Sequence, residues 1–440
     1  MKTQKTGNAF RNLNLANLVG KLLILFSFGE LIAQTWSGTI QYDKPTIDYQ
    51  VKLVESENQT NAFFTSIDMN AYEIPCQQTI LKNDTLKFYV VSDYYTYEYQ
   101  FVKQDKKFKG NLKIYSNETE QLLNSFETKL NKTEPSHQDK IEKEDFTFES
   151  NGLKLNGTLW KPMVSVQKGL LFATSSQGND RNGTNAEAYY FASLGYTVFN
   201  YDKRGTGKSK GDWQTATIEE LCSDDMNAIK FFSKISSLPL SDIGIKGSSQ
   251  GGIKIPYILS KMPELGFGIS ISCPDGTLLE SDLNYWKNIN YNNIGRDNIV
   301  QALKVQKAGY DYLARNISYE KLEALKNENS SENWLEYVWI PERDIPKDYK
   351  LNFNGLPYFE KITQPVLVIQ GLADEVIPLD SYKTIEKEIA KSKSTNYRIV
   401  ALENTTHSMT YLNAEFPYFQ ILSSDYLPAV SDWLNEIQNK

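Results

Sequence analysis

The chain has 440 residues, 40% hydrophobic and 12% aromatic, which is longer than one ordinary domain and apolar enough to fill two cores. A formal net charge of -7, a pI near 5.3 and no basic cluster argue against nucleic acid or an anionic membrane surface as the main partner. Three cysteines are too few for a disulfide framework, and two histidines without a cysteine at metal-ligand spacing argue against a zinc site, so neither metal nor cofactor is expected.

The amino terminus carries Lys2, Lys5, Arg11 and Lys21, then an apolar run over 22–28 that resumes at Leu31, Ile32 and Ala33. A basic flank before a short apolar run reads as a secretory signal over 1–33, cleaved after Ala33, which makes the chain secreted or periplasmic. The run is too short, and Glu30 too polar, to span a membrane, so the mature chain is expected to have no span.

Residues 34–130 alternate apolar and polar positions over 37–42, 49–54, 86–91, 97–102 and 109–115, with polar breaks between them. That spacing predicts short strands in a small antiparallel sheet or barrel. It contains no evident catalytic constellation and is assigned as an accessory domain. The polar stretch 131–144, which includes His137, reads as a solvated linker. Of the cysteines, Cys222 and Cys273 read as small core residues, and one bridge to Cys76 stays open.

At Phe146 the pattern changes. A hairpin over 146–160 precedes apolar strands at 169–173, 197–201 and 243–246, separated by helices over 186–194 and 218–232. Strands alternating with helices predict a mainly parallel sheet covered on both faces, with ligands bound beyond the strands' carboxyl ends.

Four features fall at such ends. Asp202-Lys203-Arg204-Gly205-Thr206-Gly207-Lys208-Ser209 imitates a phosphate-binding loop, but Asp202 stands where a glycine is required and would repel phosphate. Its glycines are read instead as shaping a loop beside the site. Gly247-Ser248-Ser249-Gln250-Gly251-Gly252 reads G-x-S-x-G between a strand and a helix, which presents Ser249 as a nucleophile on a sharp turn. The Gln250 N–H, at the helix start, can face an oxyanion. A serine needs a base held by a third group. His407 is the only histidine after Ser249 and follows a strand over 397–402. Asp374 turns at the end of the apolar strand 365–370, with Glu375 as the substitute acid.

On these motifs, together with Val376-Ile377-Pro378, the region from Phe146 to the carboxyl terminus resembles the α/β-hydrolase superfamily, in particular secreted bacterial carboxylesterases and serine aminopeptidase-like hydrolases. The resemblance implies an α/β-hydrolase fold over 145–440, preceded by the small antiparallel β domain. It implies Ser249 as nucleophile, His407 as base and Asp374 as orienting acid. The oxyanion hole would combine Gln250 with Ser176, in a loop where Thr174-Ser175 replaces the His-Gly of many relatives. An insertion over 274–353, with helical spacing over 299–305, reads as a helical cap. Its aromatics Tyr285, Trp286, Tyr310 and Trp334 either line a pocket or form the cap's own core. The leading expectation is a carboxylesterase acting on a small-molecule ester. A peptidase acting on short peptides and a catalytically silent binding protein of the same fold stay open, as does the oligomeric state.

Overall fold

The computed structural model describes residues 32–41, 46–56, 59–133, 140–394, 396–412 and 421–438. The expected signal segment therefore lies outside the described residues up to residue 31, and His137 lies outside them too.

The first domain is one nine-stranded antiparallel sheet. Its strands are β1 (Ile32–Gln41), β2 (Thr46–Ser56), β3 (Gln59–Ser66), β4 (Ala71–Pro75), β5 (Gln77–Lys82), β6 (Thr85–Val91), β7 (Tyr95–Gln104), β8 (Lys107–Ser116) and β9 (Leu122–Thr133), in the order β4-β3-β2-β1-β9-β8-β7-β6-β5. Period-two alternation produces it: in β2, Ile47, Tyr49, Val51 and Leu53 point inward while Thr46, Asp48 and Lys52 face water. The interior is strongly aromatic, with Tyr49, Phe64, Phe88, Tyr99 and Phe101 in a chain of ring contacts. The two outermost strands, β4 and β5, are joined through Cys76, whose N–H donates to Ala62 O at 2.9 Å, so the sheet is nearly a closed barrel. Cys76, Cys222 and Cys273 are all free thiols.

The stretch expected as a linker is strand at both ends. β9 continues to Thr133, pairing Asn131, Lys132 and Thr133 with Ser37, Trp36 and Thr35, and β10 (Ile141–Ser150) starts the next sheet. The polar residues at its described ends, Asn131–Thr133 and 141–144, belong to strands, which hydropathy alone does not separate from loop.

The second domain carries an eight-stranded sheet in the order β10-β11-β13-β12-β14-β15-β16-β17, adding β11 (Leu153–Pro162), β12 (Gly169–Phe172), β13 (Thr197–Tyr201), β14 (Ile243–Ser248), β15 (Phe267–Ile271), β16 (Val366–Gly371) and β17 (Tyr397–Leu402). β11 is antiparallel to both neighbours; from β13 onward every pairing is parallel. Helices α1 (Asn185–Ser193), α2 (Ile218–Ser236) and α3 (Gln250–Lys261) follow the first strands, and α2 starts at a reciprocal cap between Thr217 and Glu220. Between β15 and β16 come α4 (Leu278–Ile294), α5 (Ile299–Leu313), α6 (Tyr319–Glu328) and the short α7 (Leu356–Phe359); α8 (Ser381–Ile389) and α9 (Tyr426–Gln438) complete the chain. Apolar residues of α2, α3 and α8 share one core against the sheet, and those of α1 and α9 share the other. Helices on both faces of a mostly parallel sheet, with an antiparallel second strand, make this an α/β-hydrolase fold.

The insertion leaves and rejoins the sheet at a bridge between Thr277 and Asn354. Trp286 and Trp334 are buried in the cap's own core, Tyr310 packs on Leu279, Ala314 and Leu351, and Tyr285 is exposed. The two domains meet at Tyr72, whose ring lies 5.1 Å from Trp160 and 4.9 Å from Tyr189.

Candidate active site

Ser249 sits between β14 and α3 with φ 56° and ψ -120°, a strained setting for a residue with a Cβ. The strain persists because strand and helix are pressed together around it. A Cβ on Gly247 would fall 2.4 Å from Gly251 O, and one on Gly252 would fall 2.6 Å from Ile271 O. The Ser249 N–H donates to Ile271 O at 2.9 Å, tying the turn to the end of β15. Gln250 follows as the first residue of α3 and is buried; first-turn N–H groups have no acceptor within their own helix.

Asp374 and His407 come from the ends of the next two strands, β16 and β17. The imidazole Nδ1 is 2.9 Å from Asp374 Oδ2 and 3.0 Å from Oδ1. The carboxylate is buried, and its Oδ1 also accepts the N–H groups of Val376 at 2.8 Å and Ile377 at 3.0 Å. Three donors therefore fix its orientation. Glu375, the substitute acid, instead accepts the backbone N–H of His407 at 3.3 Å and so steadies the loop rather than the ring.

His407 is brought to the serine turn through β15: Ser272 Oγ donates to His407 O at 2.7 Å, and Ser272 directly follows the residue that accepts from Ser249. Among the described residues, no hydrogen bond joins the Ser249 hydroxyl to the imidazole. Catalytic contacts of this kind commonly tighten only with substrate bound.

The loop after β12 meets the serine turn from the other side. Ser175 Oγ donates to Ser248 O at 2.8 Å, and Ser176 is the next, partly buried residue. A buried charge network supports this loop. Lys254 of α3 lies 2.6 Å from Asp225 of α2, both fully buried, and also donates to Thr174 Oγ1 at 3.0 Å. Asp225 accepts from the Tyr201 hydroxyl at 2.5 Å and the Thr174 N–H at 3.2 Å; burial raises its carboxyl above the usual range. Lys203 donates to the carbonyls of Ser175, at 2.7 Å, and Gln177. Burial first, and then the ammonium groups of Lys254 and Lys350, lower Lys203 to about 7. Lys254 belongs to no motif, although a lysine between Ile253 and Ile255 in an apolar helix, with adjacent Asp224 and Asp225 in another, was an available sign of a buried pair; Lys203 lies in the 202–209 motif, whose glycines rather than its lysine drew the reading.

In the loop that resembles a phosphate cradle, the space is filled by Asp202 itself. Its carboxylate accepts the Lys208 N–H at 2.8 Å and the Arg181 N–H at 3.0 Å, and a Cβ on Gly207 would strike it. Arg204 pairs with buried Asp224 at 2.6 Å. The motif thus builds the wall behind the Thr174 to Gln177 loop.

The family model for X-Pro dipeptidyl-peptidase (S15 family) matches residues 151–408, more than half of the chain, and spans all three of Ser249, Asp374 and His407. The chain belongs to the X-Pro dipeptidyl-peptidase (S15) family. As an S15 family member it is a serine hydrolase, and the family's core coincides with the second domain, so the barrel lies outside the matched region. Solved structures similar to this S15 family chain include an esterase from Pyrococcus furiosus (16% identity, covering 67% of this chain and 90% of that one, TM-score 0.43). Others are Est1E from Butyrivibrio proteoclasticus with ferulic acid bound (17%, 67% and 100%, 0.44) and the alpha/beta hydrolase GrgF from Penicillium sp. sh18 (17%, 68% and 100%, 0.44). No curated protein matches the chain at a significant level.

Proposed function

We propose that the chain hydrolyses acyl esters of small molecules through an acyl-enzyme on Ser249, with His407 as general base and Asp374 as its orienting partner. The observation that carries this reading is the placement of a strained serine turn and a carboxylate-held imidazole at the same end of one parallel sheet, linked through Ser272 after β15. In the acylation step Ser249 Oγ attacks the carbonyl carbon while its proton passes to His407 Nε2, and then to the departing alcohol; water repeats the sequence to release the acid. The oxyanion is stabilised by the N–H groups of Gln250 and Ser176. These parts suffice for an ester, whose leaving group departs readily.

A second reading, cleavage of short peptides, is favoured by the family description itself. It requires in addition a subsite that grips the substrate's amino terminus. Turnover of p-nitrophenyl acyl esters without release of p-nitroaniline from X-Pro-p-nitroanilides supports the first reading; the reverse pattern establishes the second. Ser249→Ala removes both activities and fluorophosphonate labelling while the chain stays folded. Retained labelling in that variant excludes Ser249 as the nucleophile, and an unlabelled wild-type chain points to a binding protein.

We also propose secretion or release to the periplasm, supported by the basic flank and apolar run before Ala33. Cleavage there leaves Gln34 paired with Leu53, so β1 keeps most of its ladder. Edman sequencing of the exported protein should begin at Gln34.

A further inference from the structure

The barrel is continuous with the His407 loop by backbone hydrogen bonds. After β17 the chain turns at Asn404 and forms a tight hairpin, with Thr406 N–H to Thr410 O at 2.8 Å, Leu412 N–H to Asn404 O at 2.8 Å and His407 at its tip. The inner arm is fastened beside Asp374 by the Ala373 N–H, which donates to Thr405 O at 2.9 Å. The outer arm pairs with 421–423: the Tyr411 N–H donates to Ile421 O at 3.0 Å, and the Ser423 N–H to Met409 O at 2.8 Å. That segment is in turn held by the barrel, because the Leu422 N–H donates to Asp68 O at 2.8 Å in the turn between β3 and β4.

Side chains follow the same division. Leu422 and Met409 are buried in the hydrolase core with α9, whereas Ile421, between the two segments, is buried among the aromatic residues of the barrel, with Tyr411 packed beside it. Among the described residues, Ile421 of the hydrolase domain is therefore fully buried in the other domain's core, with Tyr411 at its edge, and it lies one strand away from the base.

We infer that the barrel is a positioning element for the active site and that Ile421 is the residue through which it holds the His407 hairpin. The inference rests on the acyl-transfer reading only for its kinetic consequence. Truncating Ile421 leaves the outer arm attached to the barrel by the Leu422 bond and the partly buried Tyr411 ring, and a displacement of the imidazole by about 1 Å is enough to cost up to ~100-fold in rate. Residues that bind substrate keep their places, so the loss falls on kcat rather than KM.

The test compares Ile421→Ala, Ile421→Val and Val51→Ala in the full chain. Val51 lies in the barrel core on β2 and controls for loss of barrel stability alone. With histidine selectively labelled, only His137 and His407 are visible, and the strongly downfield proton of His407 Nδ1–H facing Asp374 reports the ring's position without any substrate. The expected result is that Ile421→Ala broadens or removes this signal and lowers kcat about tenfold or more, with KM changed less than about twofold. Ile421→Val restores both, and Val51→Ala lowers the melting temperature but keeps signal and kcat. A normal signal in Ile421→Ala, or its loss to the same degree in Val51→Ala, overturns the inference. If the wild-type signal is present and responds as expected but no acyl substrate turns over, the functional reading fails and the positioning role stands.

Discussion

Replacing Asp374 by Asn changes one atom, and the surroundings decide where that atom goes. The side-chain position now occupied by Oδ1 receives the N–H groups of Val376 at 2.8 Å and Ile377 at 3.0 Å, so in the amide it must be the oxygen. The NH2 group then takes the place of Oδ2, 2.9 Å from His407 Nδ1. Nδ1 lies 3.0 Å from Oδ1 as well, but an amide donor 2.9 Å away favours acceptance by that nitrogen, moves the ring proton to Nε2, and in the proposed mechanism leaves His407 unable to take the Ser249 proton. The fold is untouched, because both backbone donors stay satisfied. The expected loss in kcat is about 10,000-fold, or ~5.4 kcal/mol of transition-state stabilisation. Stopped-flow acylation with a p-nitrophenyl ester measures it, with the melting temperature recorded in parallel. If Asp374→Asn keeps more than about a tenth of wild-type kcat at an unchanged melting temperature, Asp374 does not set the tautomer of the base.

Other perturbations probe the support beneath the site. Lys254→Met leaves the Asp225 carboxylate buried without its cation, and guanidinium unfolding should show a loss of about 3–5 kcal/mol. Adding Asp225→Asn should recover part of this, since an amide still serves Tyr201 and Thr174; no recovery would mean that the charge pair is not the cause. Lys203 gives a pH signature. Its folded value of about 7 lies below the ordinary 10.5, so between those limits the unfolded chain binds more protons and the wild type gains stability as pH rises. Lys203→Met should flatten that rise in melts taken from pH 7 to 10, and an unchanged slope would show that Lys203 titrates normally. Gly247→Ala must push its new Cβ against Gly251 O and open the serine turn, so kcat/KM should fall by roughly 100-fold or more; near-normal activity would mean that the turn is not held closed there.

How much of this was legible in the sequence differs between the two halves. The hydrolase sheet could be read because its central strands are buried on both faces and are largely apolar, such as 365–370 before Asp374, while Ser249 and His407 also follow strands, the latter at the sheet's edge. The short motif around Ser249 is specific because close backbone contact demands its glycines. The barrel was read only in part. β3, β5 and β9 carry Gln, Asn, Thr and Lys on their outward faces, and their alternation is weak over the few inward positions they own. Nor could a sequence indicate that Ile421 belongs to the barrel, since that contact is made almost 400 residues away from β1 and depends on how two domains dock. The Lys254 and Asp225 pair left a sign in the sequence, a lysine inside an apolar helix, but only packing of α2 on α3 identifies its partner.

Ile421 also bears on how the chain can be made. A ribosome delivers residues in order, and the nine strands of the first domain have all emerged by Thr133, long before the residue that fills part of their interior. The early domain must therefore wait, with a vacancy in its hydrophobic interior, until Ile421 arrives, after every strand of the second sheet. Contacts of such sequence separation form slowly and late. Completion of the amino-terminal domain thus follows synthesis of the hydrolase sheet rather than preceding it, and a chain cut short between Thr133 and residue 421 would betray itself in both domains.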